Sequence, residues 1–256
     1  MKKILLIIGI GLVLLVVIVS IVVGFYIGPI VKMGLEQVGP RVTQVSIKVD
    51  AVDVSLLSGS AALKGLVVGN PEGYSTAQAF SVGTVAVSLA PLSVTSDKIL
   101  VHSVHVESPE ITYEGGLSGN NLNKILDNVN SFTKNNAPGS ANAAQQGNNK
   151  PAPKIEVDDF LITGAKVHVN IRGLGNKDIA LPDIHLTDLG KDSNGLTPAE
   201  LTSAIFKAIS TDTLSAVTSE VGNLSQGLQS LSKSTGKSLT DSVSKITSSL
   251  GGLLGK

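Results

Sequence analysis

Apolar and polar side chains alternate along much of the chain after residue 44. Val45, Ile47 and Val49 are separated by single polar residues, and the same period of two recurs in residues 85–89 and 167–171. A period of two places the apolar residues on one face of a β-strand, so these segments are predicted to be half-buried strands. The full pattern predicts strands at residues 44–50, 61–68, 80–89, 99–106, 111–114, 155–158, 167–171 and 179–189.

The connections between the predicted strands are short and contain turn-forming residues. Residues 58–60 (Ser-Gly-Ser) predict a tight corner, residues 70–73 (Asn-Pro-Glu-Gly) predict a turn that ends a strand, and residues 172–176 predict a hairpin turn. The apolar phase shifts by one at Ala51–Val52, which indicates a β-bulge, and Pro182 indicates a bulge or an edge position. Because few helical segments intervene, we expect an antiparallel sheet.

Two segments change to a helical period. Leu122, Ile125 and Val129 are spaced for a short amphipathic helix over residues 121–129. A second helix is predicted from Thr197, which begins a capping box with Pro198 at the first helical position and an acidic residue three positions on. Apolar residues then recur every three or four positions to Leu231 and again over residues 239–250, which predicts a register change between two helical stretches.

The longest apolar run lies at the N-terminus. No charged residue occurs between Lys3 and Lys32. This run is longer than the roughly 20 apolar residues that a membrane-spanning helix needs, so residues 4–27 are predicted to span the bilayer once. A cleaved signal peptide is the alternative, but its apolar core of about 7–15 residues is shorter and precedes an A-x-A-like site. The positive N-terminus is expected to stay in the cytoplasm, with the chain after Lys32 across the membrane.

Composition excludes several classes of function. The 20 basic and 20 acidic residues give a formal net charge of zero, so we expect no electrostatic binding of nucleic acid. No cysteine is present to form a disulfide or a thiolate metal site. Tryptophan is absent and aromatic residues make up 3%, which argues against a surface that stacks sugars or nucleobases.

Histidines and aspartates are the candidates for catalysis or metal binding. His102 and His105 lie three apart in a predicted strand and are expected on opposite faces, so they cannot share a metal ion. The carboxylates of residues 158–159 diverge for the same reason, and Asp183 and His185 lack a third orienting group. We interpret all four histidines as structural or surface residues. No catalytic, cofactor-binding or metal-binding residue is predicted, and we expect a protein that is not an enzyme.

Several motifs resemble, in order, those of small bacterial AsmA-like proteins. The motifs are VDVSLLSGS (52–60), LKGLVVGNPEGY (63–74), PEITYE (109–114), NLNKILDNV (121–129), LPDI (181–184) and DLGK (188–191), within a resemblance that covers most of residues 45–210. The resemblance implies an inner-membrane anchor and a periplasmic β-sheet curved into a groove, related to bridge-like lipid transfer proteins. It supplies no catalytic residues.

These observations predict a mainly β protein with C-terminal helices (an α+β fold). Residues 1–31 are the expected cytoplasmic N-terminus and transmembrane anchor. Residues 32–196 are the expected antiparallel, curved β-sheet domain, with a flexible insert at about residues 134–153, where the hydrophobic periodicity is lost. Residues 197–256 are the expected amphipathic, Ser/Thr-rich helices.

An antiparallel sheet with one apolar face needs a cover, because monomeric proteins seldom expose large apolar patches. The first hypothesis is that phospholipid acyl chains cover it, in a single-pass inner-membrane protein whose bulk is periplasmic and which contributes to envelope lipid homeostasis. The alternative is a structural or adaptor protein whose own helices fill the sheet and which binds an envelope protein or forms a homo-oligomer. The candidate groove-lining residues are Val45, Ile47, Val49, Val85, Val87, Leu89, Val167, Val169 and Ile171.

Overall fold

A computed structural model describes residues 26–55, 57–116, 119–135, 153–171 and 175–235. The predicted anchor at residues 4–27, apart from its last two residues, lies outside this part of the chain. So do most of the predicted insert at residues 134–153 and the second helical stretch after residue 235. Among the helices that the structure describes, none is both long and apolar enough to cross a membrane.

Helices and strands alternate in blocks along the described residues. Helix α1 covers residues 26–43, α2 is Asn121–Asn135, α3 is Pro198–Thr235, and a 3-10 helix is Pro91–Thr95. The strands are β1 (Ile47–Lys48), β2 (Ala51–Ser55), β3 (Ser60–Gly69), β4 (Gln78–Leu89), β5 (Lys98–Glu107), β6 (Glu110–Gly116), β7 (Gly119–Asn120), β8 (Lys154–Thr163), β9 (Lys166–Ile171), β10 (Gly175–Ala180) and β11 (Ile184–Leu189).

The predicted antiparallel sheet is wrong in one respect, because the sheet is mixed. Strands β5 and β8 pair in parallel, as do β6 and β9, while the remaining pairs are antiparallel. The separation in sequence between paired residues is the same in both parallel pairs, since Lys98 lies opposite Lys154 and Glu110 lies opposite Lys166. The chain returns between them through α2 and the residues that follow, which is the longer connection that parallel pairing requires.

A crease crosses the sheet and divides its long strands into two halves. The chain passes from β5 to β6 at Ser108, which has φ +49°, and from β8 to β9 at Gly164, which has φ +63°. Backbone hydrogen bonds bridge the breaks, from the Ser108 N–H to the Thr163 carbonyl (2.8 Å) and from the Leu181 N–H to the Ala165 carbonyl (2.9 Å). Such irregularities bend strands, so their alignment bends the whole sheet along one line.

The same crease reaches the first strands. Residues 49–50 separate β1 from β2, and Gly65 opposite them has φ +60°. A side chain at Gly65 would collide with the Asp50 carboxylate, so glycine is required for both its conformation and its space. The shift of apolar phase predicted a bulge at Ala51–Val52, and the observed break lies just before it.

Helix α1 lies along the edge of the sheet formed by β1 and β2. Lys32 Nζ donates to the Asp50 carbonyl (3.0 Å), and the Val49 N–H donates to Glu36 Oε1 (3.0 Å). Gly28 allows the helix to approach the Val52 carbonyl, where any side chain would collide. An uncovered edge strand presents unpaired backbone groups, and α1 satisfies or covers these groups here.

Helices α2 and α3 pack on each other and on the far part of the apolar face. Their main sheet contacts are with β6 and β7 for α2 and with β8 and β11 for α3. The core buried beneath them includes Ile111, Val167, Ile125, Val129 and Val217, each at most 1% exposed. Predicted helices at residues 121–129 and from Thr197 are confirmed, although α2 extends to Asn135 and α3 runs unbroken to Thr235.

Candidate functional site

A strip of apolar side chains on β2, β3 and β4 lies at the margin of the closed core, and its members on β4 pack against that core. Rows across the three strands join Val52 to Leu63 to Val85, and Val54 to Ala61 to Val87. All of these side chains are partly buried, and those on β2 and β3 do not belong to the core cluster. We call this surface the open strip; it comprises Val52, Val54, Ala61, Leu63, Val85, Val87 and Leu89.

The dimensions of the open strip follow from sheet geometry. Two spacings of about 4.8 Å separate β2 from β4, and the strand rises about 13 Å from Val85 to Leu89. At the crease the strip meets the buried core, where Val82 and Val68 are each 5% exposed. The opposite end of the strip reaches the loops that follow β2 and β4. A narrow apolar surface therefore leads from the core to one end of the sheet.

The predicted groove-lining residues divide into three groups. Val85, Val87 and Leu89 lie on the open strip. Val167 and Val169 are in the closed core at 0% and 7% exposure, and Val45 is buried there too, at 5%. Ile47 lies against Gly39 of α1, and Val49 is 2% exposed beside the same helix. Ile171 ends β9, but its side chain lies outside the described residues.

The polar candidates lie at the surface, and each histidine is paired with a residue of a neighbouring strand. The hydrogen bonds join His102 Nδ1 to Asp158 (3.2 Å), His105 Nε2 to Thr163 Oγ1 (3.1 Å), His168 Nδ1 to Asp178 (2.7 Å) and His185 Nε2 to Asp159 (2.5 Å). Adjacent carboxylates of β8 thus serve strands on its two sides. Asp183 accepts a bond from the Gly164 N–H (3.4 Å) instead of meeting His185. Within the described ranges, no three His, Asp or Glu residues are grouped to hold a metal ion.

A carboxylate clasp fixes the turn at residues 70–76. Glu114 on β6 accepts hydrogen bonds from the backbone N–H of Ser75 (2.6 Å) and of Thr76 (2.9 Å), and from both hydroxyls (2.7 and 2.6 Å). Burial raises the pKa of Glu114, but these four bonds outweigh it and lower the pKa to about 2. Asn121 Nδ2 extends the network by donating to Asn70 Oδ1 (2.8 Å).

The clasp explains why residues 70–76 are distinctive. They tie the β3–β4 turn to β6 and to the first residue of α2, so they help to position the helix that packs on β6 and β7. A cavity of about 280 Å³ lies beside this turn and is lined by Tyr74, Asn120, Lys124 and Asp127 among others. Burial, followed by the charge of Glu114, raises the pKa of Tyr74. The cavity is lined by polar and apolar groups and shares no residue with the open strip.

Comparison with known proteins identifies the family. The AsmA family profile matches residues 1–191, which is most of the chain. The chain belongs to the AsmA family. The family resemblance predicted from short motifs is thereby confirmed, and the match includes the apolar N-terminal run as well as the sheet. No curated protein and no solved structure matches the chain.

Two features of this AsmA family protein were missed by sequence reasoning. Helix α1 carries Gly28, Lys32, Glu36 and Gly39 at spacings of four, four and three, and this stripe meets the sheet edge. That spacing in the sequence could have predicted a helix that continues beyond the apolar run. The parallel pairs were also missed, although β5 and β8 both begin with Lys-Ile and carry valine two residues later.

Proposed function

We propose that the protein is a non-enzymatic, single-pass inner-membrane protein that shields or transfers phospholipid acyl chains on its apolar strip. Its N-terminus is cytoplasmic, residues 4–27 are the anchor, and the sheet lies in the periplasm, where it contributes to envelope lipid homeostasis. Membership of the AsmA family is consistent with an envelope role related to lipids. The observation that carries the proposal is the open strip, whose side chains stay partly exposed and lie on strands other than the main sheet contacts of α2 and α3.

The chemistry of the strip suits hydrocarbon. Its members are Val, Leu and Ala, without an aromatic ring or a polar side chain that would select a particular headgroup. Each methylene removed from water contributes about 0.8 kcal/mol, so an acyl chain laid along the strip gains affinity without specific contacts. Burial by such a chain also removes the apolar surface from water, which is favourable for the protein.

The helices support a second candidate function for the other half of the sheet. Ser210 Oγ donates to Asn123 Oδ1 (2.8 Å) and Ser203 Oγ donates to Asn130 Oδ1 (2.6 Å), so polar bonds as well as apolar packing join α3 to α2. Over β6, β8 and β11 the protein's own helices thus fill the apolar face. If they also cover the open strip, a structural or adaptor role with a protein partner replaces lipid binding.

The test is lipid capture by residues 26–256, which keep the described part of α1 and omit most of the apolar run. The protein is expressed in bacteria, purified without detergent and analysed by native mass spectrometry, with solvent extracts to identify bound lipid. Val87→Glu places a charge in the strip. Ala86→Glu is the matched control, because Ala86 is the preceding residue on β4, is exposed and faces the other side.

We expect phospholipid to accompany the unmodified protein and Ala86→Glu, and to be lost from Val87→Glu. Leu63→Glu, in the strip on the neighbouring strand, should lose lipid as well, and melting curves identify any variant that fails to fold. A monodisperse, lipid-free unmodified protein would contradict the proposal and favour the adaptor.

A further inference from the structure

Two leucines project from adjacent loops at one end of the sheet. Leu57, in the turn between β2 and β3, is 62% exposed, and Leu92, in the 3-10 helix after β4, is 91% exposed. The loops touch, because the Leu89 N–H donates to the Gly59 carbonyl (2.7 Å) and Gly59 lies against Pro91. The two leucines therefore belong to one surface, which we call the leucine end.

The leucine end has no charge on either loop. No charged residue occurs in residues 54–63 or in residues 73–96. Isolated exposed leucines are common in soluble proteins, so their exposure alone decides nothing. An uncharged end of the sheet that carries two exposed leucines can lie in the interface of a lipid bilayer as well as in water.

Several serines of these loops form hydrogen bonds within the protein. Ser58 Oγ bonds Ser55 Oγ (2.8 Å) and Ser60 Oγ (2.7 Å), so the hydroxyls of the first loop pair with one another. In the second loop, Ser93 Oγ accepts from the Leu100 N–H (2.9 Å), and the Ser96 N–H donates to the Ser93 carbonyl (3.0 Å). Hydrogen bonds of this kind reduce the penalty of leaving water, which is largest for unsatisfied polar groups.

The contacts of helix α1 with the first strands show which end of the helix lies nearer to the leucine end. The eleven residue steps from Gly28 to Gly39 rise about 16 Å, and the five steps from Val52 back to Ile47 also rise about 16 Å, so helix and strands run side by side in opposite directions. From Val52 to the end of β2 at Ser55 the strand rises by a further distance of about 10 Å. The leucine end thus lies beyond Gly28, towards the N-terminal end of the described part of α1.

The start of α1 is itself apolar and exposed. Tyr26 is 65% exposed, Ile30 is 66% exposed and Val31 is 39% exposed, and all three belong to the uncharged run that ends at Lys32. Exposed apolar residues on this helix are expected where a membrane segment leaves the bilayer. Interfacial elements bury their apolar side about 5–10 Å into the boundary between headgroups and acyl chains, which is comparable with the rise from Gly28 to the leucine end.

We propose that the leucine end docks into the outer leaflet of the membrane that holds the anchor, with Leu57 and Leu92 inserted at the interface. This inference rests on the anchoring in the proposed function and deepens it. The open strip leads to the leucine end, so docking would place the strip in line with the acyl chains of that leaflet. The partner is a phospholipid bilayer surface.

The experiment measures the depth of single positions in the full chain, reconstituted into vesicles of phosphatidylethanolamine and phosphatidylglycerol. Because the chain has no cysteine, Leu57→Cys, Leu92→Cys and Glu72→Cys each carry one label site for an environment-sensitive fluorophore. Glu72 is the control, since it is exposed in the turn at the opposite end of β3 and β4. Doxyl-labelled phospholipids in the vesicles quench only probes that reach the bilayer.

We expect blue-shifted emission and strong doxyl quenching at positions 57 and 92, and neither at position 72. Quenching at positions 57 and 92 that is no greater than at position 72 would overturn docking. The outcome is independent of lipid capture by residues 26–256. Docking without lipid capture would support this inference and refute lipid binding on the open strip. Lipid capture without docking would refute this inference and support lipid binding on the open strip.

Discussion

Replacing Glu114 by glutamine removes the charge from the clasp while keeping the size of the side chain. Glu114 accepts four hydrogen bonds from Ser75 and Thr76, with donor–acceptor distances between 2.6 and 2.9 Å. An amide retains one oxygen acceptor and adds an N–H₂ group that faces donors. We expect the turn at residues 70–76 to loosen and the protein to lose stability.

The magnitude follows from the pKa. A pKa lowered from the usual 4.5 to about 2 corresponds to about 3.4 kcal/mol in favour of the charged form. The carboxylate is only partly buried, so solvent screening reduces the expected loss to about 1–2 kcal/mol. Because the folded-state pKa lies below the unfolded value, this contribution is complete above about pH 4.5 and disappears as the pH falls towards 2.

The assay is urea unfolding of residues 26–256, followed by circular dichroism at pH 7 and at several values between pH 5 and 2. Glu110→Gln is the matched control, because Glu110 lies on the same strand and its carboxylate is 4.0 Å from His168 Nε2. We expect Glu114→Gln to lower the free energy of unfolding at pH 7 and the difference from the unmodified protein to vanish at low pH. Equal losses for both variants, or a difference that persists at pH 2, would refute the clasp.

Three smaller predictions concern the helices. Thr213→Val should raise the free energy of unfolding by about 1 kcal/mol, since the buried Thr213 Oγ1 has no partner among the described residues. Gly28→Ala should lower it by about 1–3 kcal/mol in urea unfolding, because the new methyl group meets the Val52 carbonyl, whereas Gly34→Ala in the same helix has open space and should stabilise slightly. Thr197→Ala should cost about 1 kcal/mol by thermal unfolding, because Thr197 Oγ1 accepts from the Glu200 N–H (3.2 Å).

Local patterns predicted most of the elements. A period of two marked most of the strands, as for β3, predicted at 61–68 and observed at Ser60–Gly69. Two predictions were wrong: residues 44–50 form a strand only at Ile47–Lys48, and residues 179–189 divide between the end of β10 and β11. The capping box at Thr197 is confirmed, with the Thr197 N–H donating to Glu200 Oε2 (2.8 Å). These features depend on neighbouring residues alone, so a single sequence is enough to reveal them.

Strand order and the candidate surface depended on contacts between distant residues. Val87 and Val167 share the alternating pattern, yet Val87 lies on the open strip and Val167 is 0% exposed beneath the helices. Alternation specifies which side chains share a face of their strand, but it does not specify which helix covers that face.

By itself, the sequence determined the β-rich character, the turns, the helix starts, the apolar N-terminal run and the resemblance to the AsmA family. Only the tertiary structure decided the parallel pairs, the crease, the edge position of α1 and the division between core and open strip. The physical reason is the range of the interactions: alternation, capping and turn formation act within a few residues, whereas pairing and burial join positions such as Lys98 and Lys154 that are far apart in the chain.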